Sequence, residues 1–282
     1  MKGLLQRGVT ALVFGVVMLG GIYGGPYTFV SLFALITALC LWEFFDIVLS
    51  KNRRIDLIRR FLGLGLGLAP FLLAAVLQLE LVNDKSLFIA MATLLLFPFI
   101  FSAFIYELYT KSEHPFVNVA YIVLGMAYIG VPFALLEFVA FEDGFFYANT
   151  VFGLLVLTWF NDTGAYMVGS RIGKTPLFPR ISPKKTWEGA AGGAVAAFVA
   201  AGLIFAFSRE LRLLDWLVLA AIVAVFGNLG DLVESMLKRS VQIKDSGTLL
   251  PGHGGLLDRF DAFIFLLPFA TAYLLWVRLE GV

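Results

Sequence analysis

The sequence predicts an all-α fold, a polytopic membrane helix bundle of about nine transmembrane helices with its N-terminus in and its C-terminus out. Three observations carry this. Of the 282 residues, 60% are hydrophobic and only 15% charged; the mean hydropathy is +0.90; and the apolar residues fall into long runs divided by short polar ones. A helix needs about 20 predominantly apolar residues to cross a bilayer core, and a soluble domain of this length does not carry so many such runs. The formal net charge is +1, so the positions of the charges matter more than their sum. No nucleic-acid partner is expected.

In chain order, spans are expected at 8–23, 26–49, 61–79, 86–106, 116–137, 145–169, 187–207, 213–235 and 258–278. The start, Lys2 and Arg7 before an apolar run to Ile22, imitates a secretory signal. It reads as a retained first span, because no A-x-A-like cleavage site follows and a second apolar run begins almost at once. Cys40 lies inside an apolar run as a small packing residue, and a lone cysteine permits no disulfide framework. Gly63, Gly65 and Gly67 in the third span, and Gly189 and Gly193 in the seventh, have the small-residue spacing that lets helices approach closely. A subunit interface would use the same feature, so a homodimer stays open. Pro70, Pro98, Pro132 and Pro268 lie within spans, where neighbouring helices can satisfy the freed carbonyls, and predict kinks. Glu43, Asp46 and Glu107 near span ends are expected to be solvated or paired, and His114 carries no expected role.

Two regions follow: an N-terminal bundle, 1–142, read as scaffold, and a C-terminal region, 143–282, with the long loops 170–186 and 236–257. Positive charge favours the cytoplasmic side of a span. With the N-terminus inside, all but Lys85, Arg209, Arg212 and Arg278 of the 21 basic residues lie inside, and both long loops face the cytosol.

The run from Asp231 to Asp261 is the most charged part of the chain. At 1.5 Å rise per residue, the eighth span brings Asp231 to about the inner edge of a core about 30 Å thick. The ninth must take Asp258, Arg259 and Asp261 into its first turns to cross at all. Asp162 arrives at a similar depth. Intramembrane carboxylates are costly and usually face a polar cavity, so carboxylates from several spans at one depth point to a shared site. Asp231, Glu234, Ser235 and Lys238 share one helix face, as do Asp258 and Asp261, and Glu234 with Lys238 is a candidate salt bridge. Between them runs Leu250-Pro251-Gly252-His253-Gly254-Gly255. Glycines there let backbone N–H groups close on an anion at a helix N-terminus. A divalent cation between the carboxylates would make them compatible with phosphate. The basic loop sets Arg171, Lys174, Arg180, Lys184 and Lys185 against Glu188; topology alone or anionic headgroups would account for it. Gly173-Lys174-Thr175 is no P-loop, since Val168 stands where the first glycine belongs.

These residues resemble the phosphatidate cytidylyltransferases, also called CDP-diacylglycerol synthases. The family signature is similar to Ser235-x-x-Lys238-Arg239, Lys244-Asp245-x-Gly247, Pro251-x-His253-Gly254-Gly255 and Asp258-Arg259-x-Asp261, without a visible departure. Asn161-Asp162-Thr163-Gly164-Ala165-Tyr166 and Ser182-Pro183-Lys184-Lys185-Thr186-Trp187-Glu188-Gly189 also look like family segments, so the resemblance covers about residues 150 to 270. It implies that CTP and phosphatidate react to CDP-diacylglycerol and pyrophosphate with Mg²⁺, as one or two divalent ions, a monovalent ion being compatible too. The expected setting is a bacterial-type cell membrane. The resemblance implies catalytic roles for Asp231, Asp258, Lys238 and His253, the last as a phosphate donor rather than a base. Asp231, Asp258 and Asp261 would hold metal. Asn161, Asp162, Ser182, Lys184, Lys185, Ser235, Arg239, Lys244, Gly254, Gly255 and Arg259 would bind substrate; whether Ser182, Lys184 and Lys185 take the lipid phosphate or the triphosphate is open. A related CTP-using lipid enzyme, such as a polyprenol kinase, shares part of the pattern. A cation-coupled transporter would instead place its groups near the midplane of paired repeats.

Overall fold

The computed structural model describes residues 2–49, 53–247, 249 and 254–280, with the backbone alone at 2–7, 53, 54 and 56. Among the described residues the chain forms nine helices: α1 (Lys2–Tyr23), α2 (Pro26–Val48), α3 (Arg53–Gln78), α4 (Lys85–Thr110), α5 (Pro115–Ala140), α6 (Ala148–Ile172), α7 (Trp187–Phe207), α8 (Leu213–Ser240) and α9 (Leu257–Leu279). Eight of them, α2 to α9, are long and apolar enough to cross a membrane. The chain is a multi-pass membrane protein. The first expected span, 8–23, lies on α1, whose apolar part, Gly8–Tyr23, is shorter than the rest. Four short strands complete the elements, β1 (Phe141–Glu142), β2 (Phe145–Phe146), β3 (Pro176–Phe178) and β4 (Ser182–Thr186).

The chain divides into two compact units, Met1–Phe145 with Asp245–Leu257, and Phe146–Lys244 with Asp258–Val282. In the first, α2 is the central helix: Phe29, Phe33, Leu41, Phe44 and Phe45 are fully buried. The glycines of α3 make room for it, since a Cβ at Gly63 would lie 2.6 Å from the Phe45 ring and one at Gly67 2.6 Å from Leu41. Their small-residue spacing thus serves packing inside the chain. Arg59 of α3 forms a buried ion pair with Glu107 of α4, whose carboxylate also accepts from Thr110 Oγ1 (3.1 Å) and Asn118 Nδ2 (3.3 Å). Glu107 is therefore a paired core residue. Pro132 lacks an N–H, and the turn before it, Met126–Gly130, widens to π geometry. This is how an apolar helix absorbs the missing bond.

In the second unit α6 and α7 lie backbone to backbone. A Cβ at Gly193 would stand 2.7 Å from the Asn161 carbonyl oxygen, and one at Gly164 2.5 Å from Ala196 Cβ. α8 also carries a π turn, Val223–Gly227, after which Asn228 Nδ2 donates to the Ala224 carbonyl at 2.7 Å. At the start of α6, Glu210 accepts from Thr150 N–H (2.7 Å), Thr150 Oγ1 (2.8 Å) and Asn149 Nδ2 (2.8 Å). It satisfies N–H groups that a helix start leaves open.

Candidate active site

The site residues of the second unit sit on the ends of α6, α8 and α9 and on the hairpin before α7. The expected loop 170–186 holds that hairpin: β3 pairs antiparallel with β4, Pro176 opposite Thr186 and Phe178 opposite Ser182. Glu188 ties it down, accepting from the N–H groups of Lys174 (3.1 Å) and Thr175 (3.1 Å) and from Thr175 Oγ1 (2.8 Å). The Trp187 N–H donates to the Thr175 carbonyl (2.9 Å). Thr186 caps α7, its Oγ1 accepting from the Gly189 N–H at 3.1 Å. From the sequence, Glu188 was a charge against the basic loop and a member of a family segment, with no tie to the hairpin. Its signal was position: an acidic residue in the first turn of a helix, within reach of a basic loop's backbone.

β4 presents Lys185 to α8. Its Nζ lies 2.6 Å from Asp231 Oδ2, and Ser235 Oγ donates to Asp231 Oδ1 at 3.3 Å. Lys184 is exposed and Ser182 half-buried on the same strand. Seven residues further along α8, Lys238 Nζ donates to Glu234 and to Asp258 Oδ1 (2.6 Å). Glu234 is fully buried, whereas the Lys238 and Asp258 side chains are 11% and 10% exposed. The Glu234–Lys238 pair read from the helix spacing is therefore present, with Asp258 as a second partner.

The carboxylates of α8 and α9 sit at two levels about one helical turn apart. Glu234, Lys238 and Asp258 form the tier at the helix ends. Along α8, Asp231 lies three residues before Glu234 and seven before Lys238, about 4.5 and 10.5 Å deeper, and Asp162 lies ten residues before the end of α6, about 15 Å. Both helices run past the ends expected from hydropathy, 235 and 169. Asp261, one turn into α9, belongs to the deeper tier: a Cβ at Gly230 would lie 2.8 Å from the Asp261 carbonyl oxygen and 2.6 Å from Phe265 Cβ. Gly230 thus lets α8 and α9 touch beside Asp231. Asp162, Asp231 and Asp261 lie within electrostatic range of one another, with Lys185 and Arg259 as opposing charges near Asp162. Asn161 is fully buried against Gly193. Arg239 is exposed and donates to the Ile243 carbonyl (3.1 Å), and Lys244 and Arg259 are exposed.

Among the described residues no three His, Cys, Asp or Glu side chains converge as a ready metal-binding group. Asp258, expected beside Asp231 and Asp261 as a ligand, is bonded to Lys238. The deeper tier is nevertheless a set of hard oxygen donors of like charge, the chemistry that suits a divalent cation such as Mg²⁺.

The remaining signature positions belong to the first unit. Gly254 has a positive φ of 83°, a left-handed turn that favours glycine. Gly255 is buried, and a Cβ there would collide with Ser246 Oγ and with Glu43 Oε2 at 2.6 Å. His253, with 250–252, lies outside the described residues. Glu43, expected to be solvated or paired, is buried and bonded to this segment. The sequence carried no signal linking two positions so far apart.

A profile of the cytidylyltransferase family matches residues 5–277. A phosphatidate cytidylyltransferase of Bacillus subtilis (strain 168) is 46% identical over 167 residues, covering 58% of this chain and 61% of the relative. One of Staphylococcus haemolyticus (strain JCSC1435) is 40% identical over 172 residues, 60% and 64% of the two chains. One of Staphylococcus aureus (strain COL) is 38% identical over 172 residues, again 60% and 64%. The chain thus spans a little over three fifths of the length of these relatives.

Proposed function

The chain belongs to the cytidylyltransferase family, and from that premise we propose that it transfers the cytidylyl group of CTP to phosphatidate, releasing CDP-diacylglycerol and pyrophosphate. The observation that carries this reading is the two-tier arrangement at the ends of α6, α8 and α9. Lys185 and Lys238 are each held on carboxylates of a membrane-spanning helix, the placement needed for cations that neutralise phosphates where a lipid headgroup can enter sideways.

In the proposed reaction an oxygen of the lipid phosphate bonds to the α-phosphorus of CTP as the bond from that phosphorus to the bridging oxygen breaks. The electron pair leaves with pyrophosphate. A phosphomonoester is largely dianionic near neutral pH, so the step needs alignment and charge neutralisation more than a base. Lys238, oriented by Glu234 and Asp258, and Lys185, oriented by Asp231, would supply positive charge. Arg239, Lys244 and Arg259 would draw the triphosphate in, and Ser182 and Lys184 would add donors on the hairpin. Asp231 and Asp261, beside Asp162, would hold Mg²⁺. When bound, that ion would supply hard positive charge that offsets the charge of carboxylates and phosphates. Asp258, engaged by Lys238, would orient that ammonium. Charge distribution along the spans supports a site on the cytosolic side, where CTP would arrive.

The test is turnover of the detergent-solubilised protein with CTP, Mg²⁺ and phosphatidate. Equimolar pyrophosphate and CDP-diacylglycerol are expected. Release of CDP instead would make the protein a lipid kinase, and absence of nucleotide consumption by active preparations would refute nucleotide chemistry altogether.

A further inference from the structure

We infer that Glu43, a carboxylate within the membrane-spanning helix α2, is the positioning residue for Ser246 and Gly247 and for the chain from Gly255 to Leu257 that leads into α9. Glu43 is 7% exposed. Its Oε2 accepts from Ser246 Oγ at 3.2 Å and from the Leu257 N–H at 2.8 Å, groups 203 and 214 residues away in the chain. A buried carboxylate is costly unless charge and hydrogen bonds compensate it. Here, among the described residues, the compensation comes from a hydroxyl and from the first N–H of α9, a place where negative charge is favoured. An incidental interface charge would be solvated or paired with a surface cation. Glu43 is instead enclosed by the very segment that carries the signature.

The glycines of that segment fit the same carboxylate. A Cβ at Gly247 would lie 2.5 Å from Glu43 Oε1, and one at Gly255 2.6 Å from Oε2. Real Cβ atoms do not approach so closely, so any larger residue must displace the carboxylate or the backbone. Gly247 therefore serves the seating of this loop on α2, and Gly255, which the sequence alone read as part of an anion cradle, makes room for both Ser246 Oγ and the Glu43 carboxylate. Leu257 directly precedes Asp258 in the chain, so the same hydrogen bond fixes the point at which α9 begins. The first unit contributes more than scaffold: it sets the loop.

The kinetic side of this inference rests on the proposed cytidylyl transfer; the structural side does not, and the experiment separates them. Glu43→Ala and Glu43→Gln are made in the full chain. Hydrogen exchange is followed in peptides covering 254–260, CTP affinity by equilibrium binding in detergent, and the KM for phosphatidate by turnover. Loss of a hydrogen bond to a charged group corresponds to about tenfold or more. Glu43→Ala is expected to speed exchange at Leu257 and weaken CTP binding by about that factor, with the phosphatidate KM unchanged within about twofold. Glu43→Gln keeps an acceptor oxygen and should restore both within about threefold. Unchanged exchange at Leu257 in Glu43→Ala overturns the inference, as does an equal loss for both substrates that Gln does not rescue. If Glu43→Ala does not fold, Gly247→Ala, whose methyl presses on Oε1, must give the same CTP-selective defect; normal CTP affinity there overturns it. A wild-type protein that binds no CTP would refute the proposed function while leaving the exchange result to decide the role of Glu43.

Discussion

Replacing Lys238 by Met keeps the length and apolar stem of the side chain and removes only the ammonium. In the structure that ammonium bridges Glu234, which is fully enclosed, and Asp258, at 2.6 Å. Its loss leaves two carboxylates facing each other without their cation. Breaking a buried pair by deleting one partner costs about 3–5 kcal/mol. Because Lys238 and Asp258 keep about a tenth of their exposure, the lower end applies, about 3 kcal/mol. Equilibrium unfolding in mixed micelles should show that loss. Turnover should fall about a hundredfold, the usual cost of removing one charge-stabilising donor from a phosphoryl or acyl transfer site. A second change, Glu234→Gln, removes the enclosed charge and should return most of the stability without returning activity. The reasoning fails if Lys238→Met unfolds like wild type, or if Glu234→Gln recovers turnover together with stability, because the lysine would then act only as a structural counterion.

Three further outcomes follow from the same geometry. Lys185→Gln removes a cation from a more open pair, the Asp231 side chain being 37% exposed, so stability should change by less than about 1 kcal/mol while turnover drops at least about tenfold; an equal fall in both would mark Lys185 as structural. Gly230→Ala forces a methyl to within 2.6 Å of Phe265 Cβ, and overpacking at such a contact costs about 1–3 kcal/mol; turnover should fall with it, since Asp231 and Asp261 are pushed apart, and a fully active, fully stable variant would contradict the close approach of α8 and α9. Chelation with EDTA should abolish turnover and Mg²⁺ restore it, with Asp261→Asn raising the Mg²⁺ concentration needed for half-activity by about tenfold or more; activity indifferent to EDTA would remove the metal from the proposal.

The helices were legible because each apolar run must satisfy its own backbone inside a bilayer, and length alone then marks the spans. Their ends were less legible where helices continue in polar sequence: α8 runs on through Lys238 to Ser240 and α6 through Ser170 to Ile172, which hydropathy does not register. The local pair Glu234–Lys238 could be read from i,i+4 spacing, and its half-buried neighbour Ser235 from the same helix face. The third member, Asp258, could not, since its partner lies across two helices. Glu43 marks the other limit of sequence reading. A glutamate near the end of an apolar helix looks the same whether it meets water, a lysine or a folded loop. The structure shows Ser246 and Leu257 donating to it and Gly247 and Gly255 crowding it. Small residues in the signature are thus explained by what they pack against: the requirement for glycine at 247 should relax in a chain whose α2 lacks this carboxylate, whereas a side chain at 255 would still meet Ser246 Oγ and the Gly247 backbone.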